Sequence, residues 1–249
     1  EGNALGNLGT VYYSLGQYQE AIAFHEQALD IYREIGDRQG EGNALGNLGL
    51  SYLSLGRYQE AIGFHEQALV ISREIGDRRG EGGDLGNLGN AYYSLGRYQE
   101  AIALYEQYRD ISREIGNRRG EGSALGNLGA IYADLGQYQE AIDLHEQSLA
   151  IAREIGNRQG EGNALNNLGI AYDNLGQYQE AIASYEQWLV IAREIGDRSG
   201  EGGALNNLGI AYKNLGRYQE AIEFFEQWIV IAREIGNRQG EGSALNNLG

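Results

Sequence analysis

A forty-residue period runs through the whole chain and constrains its fold more than any local motif. Glu-Gly opens a block at Glu1, Glu41, Glu81, Glu121, Glu161, Glu201 and Glu241. The six full blocks are 1–40, 41–80, 81–120, 121–160, 161–200 and 201–240, and a partial seventh covers 241–249. The same residue stands at 23 of 40 positions in all six full blocks, so one structural unit is being reused. Repeats of about 20–50 residues are supersecondary units that cannot bury an apolar face alone and must stack. The expected organisation is a single array over 1–249.

Two helices fill each block. At the end of the first block, Gly36 suits a helix C-terminus because it tolerates positive φ, and Asp37 can cap the next helix by accepting backbone N–H bonds. Helix A is expected over about Arg38 to Ser54, with Ala44, Leu45, Leu48, Tyr52 and Leu55 on its apolar face. Gly56 ends it. Helix B follows from about Tyr58 to Ile75, with Tyr58, Ala61, Ile62, His65, Ala68 and Leu69 on one stripe and Phe64, Ile71 and Ile75 on a second. A helix apolar on two sides needs two neighbours, its own helix A and the next repeat. Strand-type alternation is absent. The 39 glycines are not matched by any proline. Gly42, Gly46 and Gly49 inside helix A, each about 1 kcal/mol worse than Ala there, are expected where helices approach closely. The forty-residue length is read as one helical pair with an extended turn.

Composition removes several function classes. The chain has no Cys, hence no disulfide, thiolate metal site or Cys nucleophile. It has no Met, so it reads as a fragment or a processed or designed piece. The formal charge of −16 repels nucleic acid, which is gripped by Lys and Arg. No apolar run reaches the ~18 residues of a membrane span. A cytoplasmic location is expected.

At the residue level the first block reads Leu5-x-x-Leu8-Gly9-x-x-Tyr12, then Ala21-x-x-x-His25 and Ala28. This resembles the tetratricopeptide repeat (TPR). The resemblance implies an all-α, right-handed α-solenoid of six helix-turn-helix units plus a partial seventh, with helix A on the concave face and a role in protein or peptide binding. The forty-residue unit is similar to those of Pins-type polarity adaptors and of bacterial, including cyanobacterial, TPR arrays. Those adaptors carry basic residues early in helix A. The matching positions here are Asn3, Asn43, Gly83, Ser123, Asn163, Gly203 and Ser243, none basic, so that partner class does not transfer. The usual proline after helix B is absent, and Arg33 stands near its place.

The candidate binding residues start with an asparagine ladder on helix A: Asn7, Asn47, Asn87, Asn127, Asn167 and Asn207, continued by Asn247. An amide has two donors and an acceptor. Such a row can hold an extended peptide backbone, or it can bond neighbouring repeats and set their register. On the same face lie positions that vary between blocks: Thr10 and Tyr13, Leu50 and Leu53, Asn90 and Tyr93, Ala130 and Ala133, Ile170 and Asp173, Ile210 and Lys213. Tyr and Leu there could hold apolar side chains of a ligand.

His25, His65 and His145 occupy the aromatic position of helix B and are expected in the core, not at a metal. His25-Glu26-Gln27-Ala28-Leu29 fails the zinc-helix pattern. Gly40-Glu41-Gly42 lacks the strand and Lys of a phosphate loop. The Glu20, Glu26 and Glu34 series repeats in every block, as a solvated face does. No cofactor, metal or catalytic residue is indicated. Two readings remain open beside peptide binding: self-association, by end-to-end stacking or helix exchange through Ile222, Trp228, Ile231 and Ile235 at the far end, and a consensus-type array with no native ligand. Uneven changes such as Tyr108, Arg109, Ser184 and Trp188 resemble natural drift.

Overall fold

The computed structural model describes residues 1–248, and among them every regular element is an α-helix. The chain divides into two compact units, Glu1–Ala124 and Leu125–Gly249. The first holds α1 (Gly2–Ser14), α2 (Tyr18–Ile35), α3 (Arg38–Ser54), α4 (Tyr58–Glu74), α5 (Arg78–Ser94) and α6 (Tyr98–Glu114). The boundary falls within α7 (Arg118–Asp134). The second continues with α8 (Tyr138–Glu154), α9 (Arg158–Asn174), α10 (Tyr178–Ile195), α11 (Arg198–Asn214), α12 (Tyr218–Glu234) and α13 (Arg238–Leu248).

The true punctuation is twenty residues, not forty. Most helices run 17 residues and three residues turn the chain. Both turns of a repeat have this length, so the long repeat comes from long helices and not from an extended turn. The reason is backbone chemistry at one glycine per turn. Gly16, Gly36, Gly56 and their successors to Gly236 all have φ between 66° and 75°, where a Cβ would be strained. At Gly56 the Arg57 N–H reaches Tyr52 O and the Gly56 N–H reaches Leu53 O, both 2.9 Å, which satisfies the last carbonyls of α3. At the alternate turns, those that lead into helix A, a side chain caps the next helix. Asp37 Oδ1 accepts from Gly40 N at 2.9 Å, and Asp77, Asn117, Asn157, Asp197 and Asn237 do the same for Gly80, Gly120, Gly160, Gly200 and Gly240.

Packing explains the glycines inside helix A. A Cβ on Gly49 would stand 2.5 Å from the His65 ring, and one on Gly89 2.6 Å from Tyr105. Gly129 and Gly209 face His145 and Phe225 in the same way, at 2.6 and 2.5 Å. Helix A loses about 1 kcal/mol of propensity at each such glycine. It gains a seat for a ring, and the helix holds by burial of its apolar face. Gly46 is different: a Cβ there would meet only Asp84 Oδ1, at 3.8 Å. The cores join helix B of one repeat to helix A of the next. In the first unit Ile22, Leu29, Leu45, Leu48 and Ile71 are buried together, and so are Ile62, Leu69, Leu85, Leu88 and Ile111. In the second, Leu205, Leu208, Trp228, Ile229 and Ile231 form the largest cluster.

An ion-pair chain lines the turn edge of each unit. Glu41 is almost fully buried and receives Arg33 Nε at 3.0 Å and an Arg38 nitrogen at 2.5 Å, while Arg38 also holds Glu74. Burial pushes the Glu41 carboxyl up, and the two guanidiniums outweigh it and hold it below the usual range. Arg73, Glu81, Arg78 and Glu114 repeat the pattern, as do Arg153, Glu161, Arg158 and Glu194 in the second unit. The arginine near the family's proline position therefore clamps the start of the following helix. Not all of the Glu34-type residues are idle solvated charges, because Glu74, Glu114 and Glu194 belong to this chain.

Candidate functional site

Within the first unit, the helix-A face carries a groove of about 620 Å³. Its walls come from α1, α3 and α5 and from the ends of α2 and α4. The structure brings Asn7, Thr10, Asn47, Leu50 and Asn87 of the expected binding residues into it. It adds Gln39, Asp77 and Asp84, which the sequence did not propose for binding, and Asn3 and Asn43, which the sequence noted only as lacking the adaptors' basic charge. Tyr13, Leu53, Asn90 and Tyr93 are not in its walls. Tyr13 Oη lies 3.0 Å from Ser54 Oγ, and Asn90 Oδ1 accepts from the buried Tyr105 hydroxyl at 2.6 Å, so Asn90 orients a core ring.

The ladder amides in this groove are open. Asn47 and Asn87 make no side-chain hydrogen bond among the described residues, and both are half-buried. The residue before each of them is glycine, Gly46 or Gly86, which has no side chain to bond the amide. Asn3 Oδ1 is occupied by the Tyr32 hydroxyl at 2.7 Å, and Asn43 Oδ1 receives Gln39 at 3.4 Å. No Lys or Arg lines the groove.

In the second unit, from the fifth block on, the same face is cross-linked. Asn207 Nδ2 donates to Asn166 Oδ1 at 3.2 Å, and Asn247 Nδ2 donates to Asn206 Oδ1 at 3.4 Å, each across one repeat. Asn166 also approaches Asn167, at 3.5 Å. Asp173 Oδ1 accepts from Asn214 at 3.3 Å. Asn127 is half-buried, Ile170 is 39 % exposed, Ile210 is half-buried and Lys213 is exposed. The four residues expected to form an open apolar end divide. Trp228 and Ile231 are buried, because α13 packs over α12 and Gly240 abuts the indole; Ile222 and Ile235 stay partly exposed.

His25, His65 and His145 are all buried against helix-A glycines. Burial lowers each pKa, to about 4 for His65 and His145, so these rings are neutral aromatic fillers at pH 7. Sequence reading missed one groove residue of a different kind. Alanine stands at positions 4, 44, 124, 164, 204 and 244, and the third block has Asp84 instead. That break within the repeat was the available signal. Among the described residues no cluster of His, Asp and Glu could hold a metal ion, and no helix is long and apolar enough to cross a membrane.

A family model described as tetratricopeptide repeat matches residues 1–74, 41–114, 83–154 and 120–194, and a second one matches 203–229. A search of curated proteins finds no match. Among solved structures, BtubC (BKLC) from P. vanneervenii aligns with a TM-score of 0.79 at 20 % identity, covering 88 % of this chain and 92 % of that one. A signal transduction ATPase with numerous domains (STAND) from Pyrococcus horikoshii, with a tetratricopeptide repeat sensor, aligns with a TM-score of 0.87 at 20 % identity. It covers 99 % of this chain, which spans 38 % of that protein. A Rap protein complexed with competence and sporulation factor aligns with a TM-score of 0.70 at 16 % identity, covering 98 % of this chain and 72 % of that one.

Proposed function

Because the chain belongs to the tetratricopeptide repeat family, a protein-interaction fold, we propose that its first unit binds an extended peptide or partner segment in the helix-A groove. The observation that carries this is the pair of half-buried amides, Asn47 and Asn87, left without hydrogen bonds in a groove of about 620 Å³. Each amide offers two donors and one acceptor, the complement of a peptide unit in an extended chain. Successive ladder amides read the backbone, and the varying residues, of which Thr10 and Leu50 line the groove, read side chains. Half-buried amides without partners are costly to keep unless a ligand or water completes them. The Rap protein, of the same fold, is a neighbour solved in complex with competence and sporulation factor, which supports a ligand-binding role for this architecture. The role is binding, with no group assigned to catalysis.

The test uses an acetylated, amidated alanine pentapeptide as a backbone probe, followed by the side-chain amide NMR signals. The Asn47 and Asn87 signals should shift, and those of Asn207 and Asn247 should shift far less. The double variant Asn47→Ala/Asn87→Ala should lose the response while its melting temperature stays within a few degrees. Absence of any shift at millimolar peptide would overturn the proposal.

A further inference from the structure

Asp84 replaces an alanine found in every other block, and it sits in the wall of the groove. It is 8 % exposed. Its Oδ2 accepts from Ser72 Oγ at 2.8 Å. Its Oδ1 has no hydrogen bond among the described residues: His65 Nδ1 stands 4.0 Å away, beyond bonding distance. Gly46, on the facing helix, has no Cβ to close the space beside Oδ1. The next block shows what the position does without a carboxylate. Ser112, the counterpart of Ser72, is buried with no partner for its hydroxyl, and Ala124 stands where Asp84 would be.

The surroundings lack a counter-ion. Packed against Asp84 are His65 and Ser72 from α4 and the polar wall of α3, and the neighbouring charge is the Asp77 carboxylate, which already caps Gly80. His65 has both ring nitrogens unpartnered and fully buried, and burial keeps it neutral at pH 7. Burial, against the pull of the Ser72 bond and with a smaller push from Asp77, raises the Asp84 carboxyl to about 6. Asp84 is therefore ionised at neutral pH with one oxygen unmet, in a groove without Lys or Arg. A buried charge in that state calls for a cation.

We propose that Asp84 forms a subsite for a cationic side chain, a guanidinium or ammonium, carried by the peptide that the groove binds. This rests on the peptide reading and names one residue class of the ligand. The open Oδ1 takes the charge-assisted hydrogen bond, while Ser72 fixes the carboxylate from the other side. At Gly46 no Cβ stands beside the open oxygen, where a side-chain head of the ligand can approach the carboxylate.

The experiment titrates the full chain with acetylated, amidated peptides Ala-Ala-X-Ala-Ala, where X is Arg, Lys or the isosteric neutral citrulline, and with a free-amine alanine pentapeptide. Affinities come from the Asn47 and Asn87 amide signals. The Arg and Lys peptides should bind about tenfold tighter than the citrulline peptide, the value of one charge-assisted hydrogen bond. Asp84→Asn should abolish that preference and leave citrulline binding unchanged. Equal affinity for Arg and citrulline, or a preference that survives Asp84→Asn, overturns the subsite while leaving the peptide reading standing. A preference shown only by the free-amine peptide overturns the side-chain assignment. No binding by any peptide removes the peptide reading and this proposal with it. Melting temperature at pH 8 adds a readout for a purely structural Asp84: that role predicts a drop in Asp84→Asn, whereas the subsite predicts no drop.

Discussion

In the first unit the residue before the ladder asparagine is glycine, at Gly46 and Gly86, and the Asn47 and Asn87 amides stay open. In the second, from the fifth block, it is asparagine, at Asn166, Asn206 and Asn246, and amides bond one another across repeats. The two regions share fold, hinge and caps. One side chain per repeat separates an amide row available to a ligand from one engaged in holding its own neighbours. The second unit also carries Trp188 and Trp228, which fill space that Ala28 and Ala68 leave at the matching positions. One unit is thus arranged for tighter internal cross-linking, and the other retains unmet polar groups, Asp84 among them.

The largest effect should come from crowding the second unit. A Cβ on Gly202 would run into the Trp228 ring, so Gly202→Ala should destabilise by about 3 kcal/mol, read from urea unfolding. An unchanged midpoint would show that the indole moves freely and that the packing contrast is overstated. Two effects of about 2 kcal/mol should then separate by pH. His145 has a folded pKa near 4 against 6.5 unfolded. Its contribution is complete above pH 6.5 and is lost as pH falls toward 4, because the unfolded chain takes up the proton first. His145→Phe, copying Phe225, should remove that loss and gain about 2 kcal/mol more at pH 5 than at pH 8.

Asp84 runs the other way. Its folded pKa, about 6, exceeds the unfolded 3.8, so its ionisation weighs against the fold at pH 8 and ceases to do so as pH falls toward 4. Asp84→Ala should therefore stabilise the first unit by about 2 kcal/mol at pH 8, after the orphaned Ser72 hydroxyl is counted, and by almost nothing at pH 4. A destabilised variant at pH 8 would mean that the Ser72 bond outweighs burial. The smallest change is the most direct conversion of one region into the other. Gly46→Asn copies Asn166 and Asn206; it should raise stability by up to about 1 kcal/mol and weaken peptide binding at Asn47. Retained binding would show that the preceding side chain is not what closes the ladder.

Much of the fold was legible from residues. The α3 range, Arg38–Ser54, follows from Asp37 as a cap and Gly56 as a stop, and the histidines fall in the core because they alternate with Tyr105, Tyr185 and Phe225 at one repeat position. The candidate site was legible only in part. Asn47 and Leu50 reach the groove, but Leu53, three residues past Leu50, and Tyr93, six past Asn87, do not. The Glu41 series, which the sequence placed in the first turn of helix A with no role of its own, proved to be the buried centre of an ion-pair chain.

The sequence by itself determined the twenty-residue cadence, since a positive-φ glycine recurs at every turn and, at alternate turns, a capping Asp or Asn follows it; both act within about five residues and need no distant partner. It also determined that the helices must stack, since each helix B carries apolar residues on two sides. Only the tertiary structure decided which amides remain open, that Asp84 is buried with one oxygen unmet, and that Trp228 is covered. Those outcomes depend on side chains roughly one repeat away in sequence, such as Asn166 for Asn207 and Gly46 for Asp84, brought within a few ångströms by helix packing.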